Sequence, residues 1–199
     1  MKKLIVVCSM ILCLLGVVGY AGATTLNFET GSGTYLLTNY GGFTWNNMYT
    51  ISSADYNSGW NNTSSAVSGE RFAFNGFGLS ASLADNSDFD FNGAYFGSWA
   101  ERNSTNYWAS VQSVTIQGYN NGALVATYDV VNLSKDWQYF NVAMNNVDQL
   151  VFTPHGNYNG SGWFTMDDFT YNVSAVPEPA TLLLLGLGLL GVAGLRKKG

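Results

Sequence analysis

The chain has one histidine, His155, set between Pro154 and Gly156, and two cysteines, Cys8 and Cys13, both in an apolar N-terminal stretch. So few soft ligands rule out a zinc site built from imidazoles or thiolates. No Gly-x-Ser-x-Gly elbow occurs, and no cysteine after residue 13 is present to act as a nucleophile. Carboxylates remain: Asp85, Asp88 and Asp90, and the adjacent pair Asp167 and Asp168, are the acids from which a glycan hydrolase would draw its two groups. Acids in strand and turn positions are ordinarily solvated surface, so the non-enzymatic reading is preferred and a secreted glycan hydrolase is the alternative. Asp88-Phe89-Asp90-Phe91-Asn92-Gly93 matches the first half of a calcium-loop pattern, but Trp99 stands where the bidentate Glu belongs. Alternation explains the run better, with Phe89 and Phe91 facing a core and Asp88 and Asp90 facing water.

Aromatic residues supply a binding chemistry instead. Tryptophans stand at 45, 60, 99, 108, 137 and 163, most of them beside Asn, Gly, Ser or Asp. An exposed ring stacks on the apolar face of a sugar while neighbouring amides and carboxylates bond its hydroxyls. Trp60, within Tyr56-Asn57-Ser58-Gly59-Trp60-Asn61-Asn62, and Tyr158, within His155-Gly156-Asn157-Tyr158-Asn159-Gly160, lie in turn-rich segments and are the expected glycan-binding pair. Trp99 and Trp137 are expected in the core.

The elements that would position these side chains read as strands. No helix-period stripe of useful length occurs between Thr24 and Val176; short alternating runs are broken by Gly, Asn and Ser clusters. The pattern predicts strands at 25–29, 43–51, 70–75, 88–99, 111–119, 124–130, 138–143, 149–153 and 163–172. Asn121-Gly122 is the clearest hairpin signal, because both residues tolerate positive φ. The expected fold is all-β, an antiparallel β-sandwich.

Both ends read as addresses. Lys2 and Lys3, the apolar run Leu4–Val18 and the small residues Ala21-Gly22-Ala23 form a signal peptide over 1–23, so the mature chain is expected to begin at Thr24. Neither cysteine follows a small residue as a lipobox requires. At the other end, Pro177, Glu178 and Pro179 precede sixteen uncharged residues, Ala180–Leu195, and the basic Arg196, Lys197 and Lys198. As a helix, 180–195 would span about 24 Å at ~1.5 Å per residue, slightly short of a ~30 Å hydrocarbon core but within reach of thinning and snorkelling. The basic end should stay cytoplasmic. Between the two signals, 24–175 forms the expected ectodomain. Once both signals are gone, twelve acids face three cations, Arg71, Arg102 and Lys135, for a net charge of −9. Such a surface disfavours nucleic acid and anionic lipid and suits neutral glycans or divalent cations.

The tripartite C-terminus, Val176 to Gly199, resembles the PEP-CTERM sorting signal of Gram-negative bacteria. That resemblance implies an exosortase that recognises Pro177-Glu178-Pro179 and removes the helix, a transient stay in the inner membrane through 180–195, and delivery to the cell surface or an exopolysaccharide matrix. From Phe89 onward the order of segments also resembles the jelly-roll, galactose-binding-like ectodomains common among such proteins, on Phe89–Phe96, Val114–Tyr119, Leu150–Thr153 and Met166-Asp167-Asp168-Phe169. The stretch 31–82 matches no part of that order. In such modules the first and last strands are neighbours, and the resemblance implies a structural Ca²⁺ held by Glu29, Asp167 and Asp168. Hard oxygen ligands suit that ion. The expected task is association with extracellular polysaccharide, as a carbohydrate-binding or structural component.

Overall fold

The computed structural model describes residues 22–60, 65–100, 107–157 and 162–173, without the side chains of Trp60 and Tyr107. The signal peptide, the Pro-Glu-Pro triplet, the helix expected at 180–195 and Tyr158 lie outside the described residues. Among the described residues nine strands and one short α-helix follow in order: β1 Thr24–Leu26, β2 Tyr35–Tyr40, β3 Phe43–Ser52, α1 Ser53–Trp60, β4 Arg71–Asn75, β5 Ala81–Ser98, β6 Val111–Asn120, β7 Ala123–Val131, β8 Gln138–Gly156 and β9 Phe164–Val173.

Every pairing is antiparallel, in the order β1-β9-β4-β3-β5-β8-β6-β7, with β2 beside β3. Two long strands turn this order into a sandwich. Ala81–Ala84 of β5 lies between β3 and the C-terminal half of β8, whereas Phe89–Ser98 lies between β9 and the N-terminal half of β8. Register shifts between Ala84 and Gly93 accompany the change of neighbour. Bulges of this kind let one strand pass from one layer to the other. The expected adjacency of first and last strands is present: Thr24 faces Tyr171 and Leu26 faces Phe169. Asn121 and Gly122 take φ of 49° and 77°, the tight turn expected between β6 and β7.

Alternation places Phe43, Trp45, Phe89, Phe91, Phe96, Ile116, Phe152 and Phe169 in the core between the layers. Phe91 and Phe169 stack there with centroids 4.5 Å apart and planes 11° apart. Each such ring contributes about 1.5–3 kcal/mol by burial. A second cluster occupies the opposite face of β4, where Phe72 and Phe74 meet Ile51, Tyr56, Trp99 and Ala109, with Tyr49, Trp108, Trp137 and Trp163 packed around them. Thus β4 is buried on both faces, and the second face carries most of the tryptophans.

The strand expected at 25–29 ends at Leu26, and four further expectations need correction. Tyr35–Tyr40 is a strand that lacks clean alternation because much of it is exposed. Ser53–Trp60 is a helix of eight residues, too short to display a periodic stripe; Ser52 Oγ accepts the Asp55 amide at its start. β5 begins at Ala81 rather than 88. Finally, the segments expected at 138–143 and 149–153 are one strand, β8, in which Ala143 and Asn146 at φ 52° and 55° absorb the polar break. His155 therefore sits on β8 and not in a loop.

Candidate functional site: an aromatic cleft beside the Gly76–Gly78 turn

The turn joining β4 to β5 reads Asn75-Gly76-Phe77-Gly78-Leu79. Two asparagines hold it. Buried Asn75 donates from Nδ2 to the carbonyls of Leu79 and Gly162 at 2.9 and 3.0 Å, and its Oδ1 accepts the Phe164 amide at 2.8 Å. Asn47 donates from its Nδ2 to the carbonyls of Gly76 and Ser80 at 3.0 and 2.9 Å. The glycines let the turn lie flat on aromatic rings. A Cβ at Gly76 would stand 2.5 Å from Tyr49, and one at Gly78, where φ is +67°, would stand 3.1 Å from the Trp163 ring.

Phe77, between the two glycines, is the anomaly. Its backbone is left-handed, φ 54° and ψ 19°, and its ring is 73 % exposed. A bulky residue in that region costs about 1–2 kcal/mol, and here no burial offsets it. Beside it, Tyr49 meets Phe77 edge-on at 6.4 Å and stacks on Phe74 at 5.6 Å and 27°. Trp163 is held from behind by Trp108, 5.4 Å away and at 88°. Thr34, Tyr49, Phe74, Gly76, Phe77 and Trp163 together line an open, mainly apolar cleft of about 260 Å³. Leu36, half exposed, pairs in register with Tyr49. Such a cleft, with hydroxyl-bearing Thr34 and Tyr49 among its lining residues, offers flat ring faces to a small ring-shaped ligand.

Of the residues expected from sequence, Trp60 ends α1 with its side chain outside the described residues, and Tyr158 lies outside them altogether. Trp99 is buried as expected, and Trp137 is half-buried with Nε1 donating to the Ser65 carbonyl at 2.7 Å. Reasoning from loops passed over Phe77. Its signal was present nonetheless, an apolar aromatic between two glycines directly after a buried strand.

Glu29, Asp167 and Asp168 reach one loop, 67–71. Glu29 Oε1 accepts the amides of Glu70 and Arg71 at 2.8 and 2.7 Å. Asp167 is fully buried; its Oδ2 accepts the amides of Val67 and Ser68 at 2.8 and 3.2 Å, and its Oδ1 that of Asp168 at 2.8 Å. Asp168 Oδ1 accepts the Ser68 hydroxyl. Burial raises the Asp167 carboxyl to about 7, against the opposing pull of its amide donors and with a further push from Asp168. Among the described residues no three of His, Cys, Asp and Glu stand together to hold a metal ion. Phe28 and Asp168, flanking this corner, both take left-handed backbone, φ 58° and 48°.

Two more of the acids named for a hydrolase hold backbone amides. Asp85 accepts the Ser87 amide and Asp90 the Asn146 amide. His155 Nε2 lies 2.9 Å from Thr115 Oγ1, whose hydroxyl donates to Asp129 Oδ1 at 2.7 Å. Because the hydroxyl proton goes to the carboxylate, Nε2 is the donor in its own contact and does not act as a base toward Thr115.

Residues 175–198 match the PEP-CTERM protein-sorting motif. That motif marks a secreted protein, anchored in the membrane before exosortase processing and then delivered to the surface. No curated protein sequence matches the chain. Among solved structures, TmCBM61 in complex with β-1,4-galactotriose is similar over 74 % of this chain and 94 % of its own, at 13 % identity and a TM-score of 0.44. The CBM22-1 xylan-binding domain of Paenibacillus barcinonensis Xyn10C is similar over 77 % and 95 %, at 14 % identity and a TM-score of 0.41. A variant of the family 29 carbohydrate-binding module CBM29-2 is similar over 80 % and 99 %, at 14 % identity and a TM-score of 0.35.

Proposed function

We propose that this exported chain, carrying a PEP-CTERM sorting motif, associates with neutral extracellular polysaccharide through the cleft of Tyr49, Phe77 and Trp163. The observation that carries the reading is Phe77, whose exposed ring stands on a left-handed backbone in a turn held by Asn47 and Asn75. Strain that folding does not repay marks a position held for binding. The geometry suits a sugar: ring faces stack on its C–H surface, and the Thr34 side chain is at hand for a hydroxyl. The acidic ectodomain favours a neutral polymer over an anionic one. In this account the exosortase acts at Pro177-Glu178-Pro179, freeing the domain from the inner-membrane segment expected at 180–195 so that it joins a surface or matrix polysaccharide.

Affinity electrophoresis through gels containing neutral polysaccharides tests the proposal. The parent protein should be retarded by at least one polymer and Phe77→Ala should be retarded several-fold less. Loss of retardation in Trp60→Ala or Tyr158→Ala, with Phe77→Ala unaffected, would move the site to the loops named from sequence. Of the five acids named for a hydrolase, Asp85, Asp90, Asp167 and Asp168 accept backbone or hydroxyl donors, which supports the non-enzymatic reading.

A further inference from the structure

The rim of the cleft on the β2 side hangs from a buried cation. Arg71 opens β4 opposite Ser52 of β3 and is 8 % exposed. Its Nη2 donates to the Gly33 carbonyl at 2.6 Å and to Thr50 Oγ1 at 3.1 Å. Thr50, fully buried, gives its own hydroxyl proton to the Thr30 carbonyl at 3.0 Å. One arginine and one threonine therefore grip both ends of the reversal Thr30-Gly31-Ser32-Gly33. Gly31 and Gly33 take φ of 79° and 58°, and the Tyr35 ring packs where a Cβ at Gly31 would stand. Thr34 follows directly; it is exposed, lines the cleft and has no described residue bonded to its hydroxyl.

A guanidinium in that place is a poor choice for stability alone. No carboxylate pairs with it among the described residues; Glu29 Oε1 takes the backbone amides of Glu70 and Arg71 instead. Its Nε is buried and without a partner. Unpaired buried charge is costly, and an apolar side chain of similar volume commonly does as well or better. Such a change would orphan nothing here. The Gly33 carbonyl belongs to an exposed residue that water can reach, and Thr50 keeps its bond to Thr30. Given that the cleft takes a glycan, we propose that Arg71 is its positioning residue: by holding Gly33 it sets the Thr34 hydroxyl at the rim, where it meets a sugar hydroxyl. Phe77 is placed by different means, the Asn47 and Asn75 bonds to its turn, so the two sides of the cleft are positioned independently.

Affinity electrophoresis in gels of soluble galactan, arabinoxylan or glucan tests this on the full chain expressed in an exporting host, with melting temperatures measured alongside. The variants are Arg71→Met, Thr34→Val, Phe77→Ala and the doubles that combine Arg71→Met with each of the other two. Loss of one neutral hydrogen bond weakens binding about two- to tenfold. Arg71→Met and Thr34→Val should each show a loss of that size while melting close to the parent. Their double should bind no more weakly than either single variant, because both changes remove the same contact. Arg71→Met with Phe77→Ala should instead show the product of the two losses. An arginine that merely kept the whole cleft in shape would couple to Phe77 as strongly as to Thr34. Parent-like binding by Arg71→Met, a multiplied loss in the double with Thr34→Val, coupling to Phe77, or an Arg71→Met variant that fails to fold or melts far below the parent would each overturn the assignment. In all of these cases the cleft reading stands so long as Phe77→Ala weakens binding. A parent that no such gel retards would remove that reading, and the role of Arg71 with it.

Discussion

Replacing Phe77 by glycine and by alanine separates the cost of its backbone from the use of its ring. The residue is 73 % exposed, so truncation removes little buried surface, far less than the ~3–5 kcal/mol that follows loss of a core phenylalanine. Alanine keeps the left-handed penalty, whereas glycine removes it; at φ 54° the two should differ by about 1 kcal/mol in glycine's favour. Both variants lose the ring and with it a stacking contact of about 0.5–1.5 kcal/mol, a several-fold drop in affinity for any polysaccharide the parent binds. The expected pattern is therefore equal loss of binding with unequal stability, Phe77→Gly at or above the parent and Phe77→Ala at or below it. Urea unfolding midpoints, read with the slope held common, measure the first quantity, and affinity electrophoresis the second. A Phe77→Gly variant that binds as well as the parent, or unfolds several kcal/mol more easily, would refute the reasoning.

Three further outcomes follow from the corner where β1 meets β9 and from the C-terminus. Asp167 has a folded pKa near 7, above its unfolded value of 3.8, so the native state holds the proton more tightly; stability is full below about pH 4 and falls by about 4 kcal/mol as pH rises through 7. In chelator, unfolding midpoints from pH 4 to 8 should show this fall in the parent and not in Asp167→Asn, and identical profiles would exclude the assignment. If Glu29, Asp167 and Asp168 hold Ca²⁺, as we propose from their shared corner, millimolar Ca²⁺ should raise the melting temperature at pH 7 and abolish that fall, and Glu29→Ala or Asp168→Ala should remove the gain; indifference to Ca²⁺ and chelator alike would sink the site. Alanines at Pro177, Glu178 and Pro179 should leave the chain in the inner membrane at its unprocessed mass, and normal release of that variant would contradict exosortase recognition of the triplet.

Much of the β-sandwich was legible because its strands alternate. Phe89-Asp90-Phe91 and Val114-Thr115-Ile116 put one residue type on each face, and both face the core as read. Tyr35–Tyr40 was not legible, since an edge strand with two mostly exposed faces leaves no periodic trace. Nor was the continuity of β8, where Asn145-Asn146 looks like a turn and is instead a bulge. Glu29, Asp167 and Asp168 were named together from sequence as ligands, whereas the partners they have are amides and a hydroxyl of a loop some forty to one hundred residues away, which no local pattern announces. The aromatic cleft was missed for a related reason. Tyr49, Phe77 and Trp163 converge only because β3, the β4–β5 turn and the start of β9 are packed together by Asn47 and Asn75. A sequence read loop by loop favours exposed tryptophans in turns over a phenylalanine lifted from one.

The six tryptophan indole N–H signals of a ¹⁵N-labelled exported protein offer the most direct test of cleft binding. Trp163, identified by its loss in Trp163→Phe, lines the cleft, whereas the Trp45 Nε1–H is buried and donates to the Tyr40 carbonyl at 2.9 Å. Titration with oligosaccharides of a polymer that retards the protein should shift the Trp163 signal saturably and leave Trp45 in place. Saturable binding with the Trp163 signal unmoved would contradict the account and place the glycan elsewhere on the domain.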